Sequence, residues 1–368
     1  MDKQARIKLQ CYDLVTGKNS PLIYGRTCSM LSLVKEIMNM KKLNVALAIL
    51  VAAVMAGNAQ TTVNSDIVGY QAVTVPVGRS IYSAPFILEE VAKGSVSANT
   101  ATQVESSIGS LTLPTSNQYY MEILTGSYEG DRIDVDVAAT NAAQSANPGR
   151  IILKSVSYNS NTLTGSEIVG QRIAIRKHLT FSALTSLIST GSFVANTSAA
   201  NADQILVYGA SGFETYYYFS TAGGWYKQSP LASAQTKVIP PGSAIMFVKK
   251  TAAVTLTGLG TVRTTKLQLP MAAGYQLVSS GYPVDSALSA LNPNGTWTAN
   301  TSAANADQVL LYGASGFETY YYFSTAGGWY KQSPLAKSTA NVLSSSSGFL
   351  VKKKNSDVNY AVASQVSN

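Results

Sequence analysis

Cysteine is the first scarcity. The chain has two, Cys11 and Cys28, and both lie within the first 39 residues. Downstream of them no disulfide can form, and neither Cys–His catalysis nor a zinc site built on thiolates is open. Histidine is almost as rare, with His178 the only one. A Ser–His–acid triad would have to use it, yet no G-x-S-x-G elbow appears, and no glycine-rich loop fits a phosphate. Charge is sparse at 12%. The basic surplus of +8 belongs largely to residues 1–59, which hold 8 basic and 3 acidic side chains; residues 60–368 keep 19 basic against 16 acidic. A nucleic-acid partner, which needs a basic face on a folded domain, is therefore not expected. The apolar run Leu43–Ala56 falls short of the roughly 20 residues that span a bilayer.

What the chain does have is a repeat. Asn196–Ala232 and Asn300–Ala336, 104 positions apart, agree at 35 of 37 positions, the exceptions being Ile205/Val309 and Val207/Leu311. Cores tolerate such swaps between similar apolar residues. The likeness extends outward, with Ser182-Ala183-Leu184 over Ser286-Ala287-Leu288 and Leu187 over Leu291. Phe247-Val248-Lys249-Lys250 matches Leu350-Val351-Lys352-Lys353 at an offset of 103, which implies a one-residue indel. Units of about 100 residues are domain-sized and too long for a solenoid repeat.

Within the repeat the period is two. Gln204–Tyr208 reads as a strand buried on both faces, and Gly209–Gly212 as a turn. Phe213–Phe219 alternates, with Phe213, Thr215, Tyr217 and Phe219 on one face and Glu214, Tyr216 and Tyr218 on the other. Ser220–Gly224 is a second turn, and Trp225-Tyr226-Lys227 opens a third strand that Pro230 ends. The expected fold class is all-β: tandem small β domains, sandwich or barrel-like, with an internal duplication.

Residues 1–39 show no period and read as an upstream extension. Met40 opens a secretory signal over residues 40–59: Lys41-Lys42, the apolar run, then Gly57-Asn58-Ala59 as a small-residue cleavage site. The mature chain is expected to begin near Gln60, exported to the periplasm, outer surface or medium, with no stable membrane span after processing. Three β units follow: an N-terminal domain at 60–170 and repeat units at 171–268 and 269–368. In the first, Ala72–Pro76, Tyr119–Gly126, Arg132–Val137 and Ile151–Val156 read as strands. Glu167–Gln171 echoes Asp66–Gln71 and marks a junction.

Taken in order, the segments Asp66–Tyr70, Val73–Pro76, Tyr119–Gly126, Ile175–His178, Ala202–Leu206, Tyr216–Tyr218, Gly224-Trp225, Pro241-Gly242 and Val262–Thr264 carry a resemblance. The chain resembles an uncharacterised family of secreted β-rich proteins from verrucomicrobial bacteria. The resemblance implies export and architecture; it implies no chemistry.

The acidic group Glu129, Asp131, Asp134 and Asp136 offers paired carboxylates for a glycoside hydrolase, or oxygen ligands for calcium. Asp134 and Asp136, however, fall on the polar face of an alternating strand, so a solvated face is the simpler expectation. His178 is expected to be structural, with Tyr282 at its place in the second unit. Lys352–Lys354 reads as a solvated strand end, and Asp203 and Asp307 as turn residues bonding to backbone. The repeated aromatics Tyr216, Tyr218 and Trp225, recurring as Tyr320, Tyr322 and Trp329, either stack on sugar rings or fill the core. The expected function is a non-enzymatic structural or cell-surface role with no cofactor. The alternatives are carbohydrate binding through those six aromatics, with a polysaccharide or another cell-surface component as partner, and glycoside hydrolysis.

Overall fold

The computed structural model describes residues 68–84, 86, 88–157, 163–209, 211–269, 271–291, 297–338, 343–355 and 361–362. The expected leader, residues 1–59, lies outside them. The chain is all-β, with two short α-helices among the described residues.

Six strands close a barrel in the order Glu90–Asn99, Gln103–Ser106, Arg150–Ser157, Arg132–Val135, Tyr119–Ile123 and Arg172–Lys177. Alternation aims Tyr119, Met121, Ile123, Ile133, Val135, Ile173 and Ile175 inward, where they form one packed core. Small barrels of this kind are filled by their own side chains. The run Arg132–Val137, expected as one strand, stops at Val135. Asp136 accepts a hydrogen bond from the Ala139 N–H at 3.0 Å and so caps the helix Val137–Gln144. The helix then ties down the neighbouring loops. Asn141 bonds both backbone groups of Leu113, and the Gln144 side-chain carbonyl accepts from the N–H groups of Leu111 and Gly149.

The repeat strands form as expected, at Gln204–Gly209, Gly212–Phe219 and Gly224–Lys227. They continue a six-stranded sheet: Ala232–Ser233, Gly224–Lys227, Gly212–Phe219, Gln204–Gly209, Ala244–Lys249, Gly78–Ser83. The second unit builds the same sheet from Ala336–Lys337, Gly328–Lys331, Gly316–Phe323, Gln308–Gly313, Phe349–Lys353 and Gly274–Val278. A smaller ladder covers each, Val68–Val75 with Val254–Thr261 in the first unit and Leu267–Gln268 with Ala361–Val362 in the second.

This pairing moves the expected boundaries. Val68–Ser83, placed by sequence in the 60–170 domain, pairs with Val254–Thr261 and Ala244–Lys249. Arg172–Lys177, placed in the 171–268 unit, closes the barrel by pairing with Glu90–Ser95 and Tyr119–Ile123. Leu267–Gln268 belongs to the second unit's ladder. The barrel is thus an insertion in the first repeat unit. It fills the connection between Ser83 and Leu179, which the second unit makes in a few residues after Val278. The expected indel also disappears. Gln204 faces Val248 and Gln308 faces Lys352, so the offset stays at 104 and Lys249 corresponds to Lys353.

The two units pack through the outer faces of their six-stranded sheets. Ile81, Ala244 and Met246 meet Leu277 and Leu350, flanked by Leu206, Tyr208, Leu310 and Tyr312. These are corresponding residues: Ile81 with Leu277, Met246 with Leu350, Leu206 with Leu310, Tyr208 with Tyr312. Two backbone hydrogen bonds repeat the correspondence. Ser83 N–H donates to the Ser346 carbonyl at 3.2 Å, and Ser279 N–H to the Gly242 carbonyl at 2.8 Å. The same patch meets itself, the mark of an isologous, two-fold contact, here within one chain.

Candidate functional site

The six aromatics singled out from the sequence do not form an open face. Trp225 is fully buried and Trp329 nearly so, at 0% and 3% exposure. Trp225 lies edge-on to Phe193, Tyr218 and Phe181, with ring centroids at 4.9, 5.3 and 6.1 Å, and its indole N–H reaches Thr185 Oγ1 at 3.3 Å. Trp329 packs edge-on to Trp297 at 4.7 Å and Tyr322 at 5.6 Å. Tyr216 and Tyr320 are buried in the same two cores, and Tyr218 and Tyr322 are half-buried against them. The phenol tips of Tyr216 and Tyr320 find polar partners in Glu214 and Glu318, which Lys227 and Lys331 also hold. The lysine hydrogen bond, helped by the tyrosine, lowers each carboxyl's pKa. Burial, with the carboxylate beside it, raises each phenol's.

The alternation was legible, and the even face enters the two main cores, while on the odd face Tyr217 and Tyr321 are buried as well, Tyr321 against Ala303 and Ala306. The odd face carries Phe213, Tyr217 and Phe219, with Tyr226 opposite Tyr217. Phe219 and Tyr226 lie edge-on at 5.2 Å, and Phe323 and Tyr330 lie tilted at 5.1 Å. Phe213 and Phe317 stand 41% and 40% exposed, and Leu231 and Leu335 are both 58% exposed at the turn after the third strand.

The acidic group is not a solvated strand face. Asp131 is buried, Asp134 Oδ1 lies 2.7 Å from His178 Nε2, and Asp136 caps the helix. His178 is buried against the Tyr120 ring, whose centroid is 4.7 Å away, in keeping with a structural role. Among the described residues, no three His, Cys, Asp or Glu side chains come together to hold a metal ion. Among them, too, no helix is long and apolar enough to cross a membrane.

Lys353 corrects the reading of the basic run. It is 4% exposed, and its ammonium lies 2.7 Å from Asp307. Asp307 also accepts from the N–H groups of Thr298 and Lys354, at 2.8 and 2.6 Å. The first unit repeats the cluster, with Asp203 holding Lys249 and the N–H groups of Val194 and Lys250. Backbone bonding by the two aspartates was expected; the buried ammonium was not.

The densest polar site lies where the barrel meets the repeats, and sequence reasoning missed it. Glu122, 1% exposed, receives Arg176 Nε at 2.9 Å and Arg263 Nη1. Arg132 donates to the carbonyls of Pro241 and Gln268. Burial pushes the Glu122 carboxyl up, but the guanidiniums of Arg263, Arg176 and Arg132 outweigh it and hold the pKa below the usual range. Burial pushes the Tyr120 phenol up to about 12. Beside the cluster is a cavity of about 30 Å³, lined by Tyr120, Lys177, Pro241, Gly242, Arg263 and Gly281 among others. The available signal was Glu122 itself, a lone charge in the apolar run Tyr119–Ile123.

Compared with known protein families, with curated proteins and with solved structures, the chain matches none.

Proposed function

We propose that the chain is an exported, non-enzymatic protein with a structural or cell-surface role. Its working surface is the exposed part of the duplicated meander. The observation that carries this reading is where the identity falls. Packing accounts for agreement at Trp225 and Trp329, but it accounts for little at Leu231 and Leu335, which are 58% exposed, and for only one edge of Phe213 and Phe317, which rest on Tyr208 and Tyr312 at 4.9 and 5.0 Å and leave 41% and 40% of their surface open. Core positions packed against the meander have meanwhile changed: Phe193 to Trp297, Ile245 to Phe349 and Phe247 to Val351. Folding constrains the core more tightly than the surface, so this pattern points to a surface kept for what it touches. The secretory pattern of residues 40–59 and the resemblance to secreted β-rich verrucomicrobial proteins support export.

Two copies of one surface suit a partner that repeats, and a cell-surface polysaccharide is the class proposed. Exposed rings stack on sugar faces, and two weak sites gain avidity on a polymer that spans both. The cavity at the barrel junction, at about 30 Å³, falls far below the roughly 300–1,000 Å³ of small-molecule sites. The test is retention on insoluble polysaccharides of Phe213→Ala, Phe317→Ala and the double variant. Each single change should cut retention about tenfold or more through lost avidity, and the double change should abolish it, while melting temperatures stay put. Unchanged retention of a folded double variant would overturn the reading.

A further inference from the structure

We propose that the junction between barrel and repeats is an anion site, built for one chloride-sized ion held by Tyr120 and Arg263, with Arg176 opposite Tyr120 in the ladder. Three buried guanidiniums, Arg132, Arg176 and Arg263, and the buried carboxylate of Glu122 act electrostatically on Tyr120. The nearby acids are shared or spent elsewhere. Glu90 reaches Arg176 at 3.3 Å but serves Lys93 at the same distance, Asp134 bonds His178, and Glu129 takes the Lys266 N–H. Asp131 is buried next to Arg132 in the chain. After these pairings Arg176 Nη1, Arg263 Nη2 and the Tyr120 hydroxyl have no hydrogen-bond partner among the described residues. All three side chains are more than nine-tenths buried. Guanidinium N–H groups only donate, and a buried donor without an acceptor is costly.

The adjacent cavity supplies the room. Tyr120 and Arg263 line it, with Lys177 as a further positive charge, and its volume of about 30 Å³ admits one small ion. An anion there would accept from Tyr120 of the barrel and from Arg263 in the chain between the units. It would so fasten the inserted barrel to the rest of the molecule.

The experiment has two arms on the full chain. Crystals soaked in sodium bromide should show an anomalous peak within hydrogen-bond reach of Arg263 Nη2. Melting temperature, followed at constant ionic strength while gluconate is exchanged for chloride, should rise and saturate. Tyr120→Phe removes one donor and leaves the Glu122 ion pairs in place. Its melting temperature in gluconate should match the parent's, while its chloride affinity falls about fivefold, the worth of one hydrogen bond. Bromide-free density filled by water, or identical melts in chloride and gluconate, would overturn the assignment.

Discussion

Trp225 and Phe213 sit on neighbouring strands of one meander and face opposite ways. Trp225→Ala and Trp329→Ala should each cost about 3–5 kcal/mol, as large-to-small changes of buried aromatics do. Phe213→Ala, at a half-exposed position, should stay within about 0.5 kcal/mol. Chemical denaturation of the three variants checks the contrast, and a mild Trp225 variant would contradict its place in the core. Period two showed that two faces exist; it carries no sign for which is inside, because Tyr and Phe serve both. Glu122 belongs to the same scale. Its folded pKa is lowered, so its stabilising effect is fully present above the ordinary carboxylate value and is lost as pH falls through the lower folded one. Glu122→Gln should therefore flatten the acid limb of the stability profile. Parallel acid limbs in parent and variant would show that the Arg176 and Arg263 pairs do not act on stability.

Among strands, the informative pair is Lys352 and Lys353. Adjacent residues of a strand point to opposite faces. Lys353 goes inward to Asp307, while the half-buried Lys352 lies 5.3 Å from the Tyr275 ring centroid. Breaking a buried ion pair from one side costs about 3–5 kcal/mol. Lys353→Met should lose that much and Lys352→Met about 0.5 kcal/mol or less, as urea midpoints would show. The sequence match at an offset of 103 paired Lys249 with Lys352, because apolar letters such as Val248 and Val351 align equally well one residue out of step. A one-residue slip exchanges the faces of a strand, and the backbone pairing together with the buried Asp203 and Asp307 pairs fixes the register. The helix Val137–Gln144 was hidden for a related reason: Asp136 continues a strand's alternation as well as it caps a helix.

At the scale of the molecule, the strands were legible from alternation and turn residues, whereas their partners were not. Val68–Ser83 finds its ladders beyond residue 240, and no local pattern announces an insertion of a whole barrel between two strands of one sheet. The isologous packing of the two units was invisible for the same reason, since it is a relation between faces. It bears on the gene as well as on the fold. Two stretches agreeing at 35 of 37 residues invite unequal recombination, and a crossover within them deletes 104 residues in frame, joining Ala232 to Lys337. The product retains Val68–Ser83, the barrel, one meander and the strand Phe349–Lys353, which now takes the place of Ala244–Lys249. Such a chain keeps one six-stranded sheet, with Ile81, Leu206, Tyr208 and Leu350 laid bare. Because that patch is its own complement, the shortened protein should be a homodimer by light scattering, with each lost neighbour replaced by another molecule. A folded monomer would mean that the contact depends on residues in which the two copies differ. If the dimer forms, the parent chain is a tethered version of it, and copy number at this locus sets whether the assembly depends on concentration.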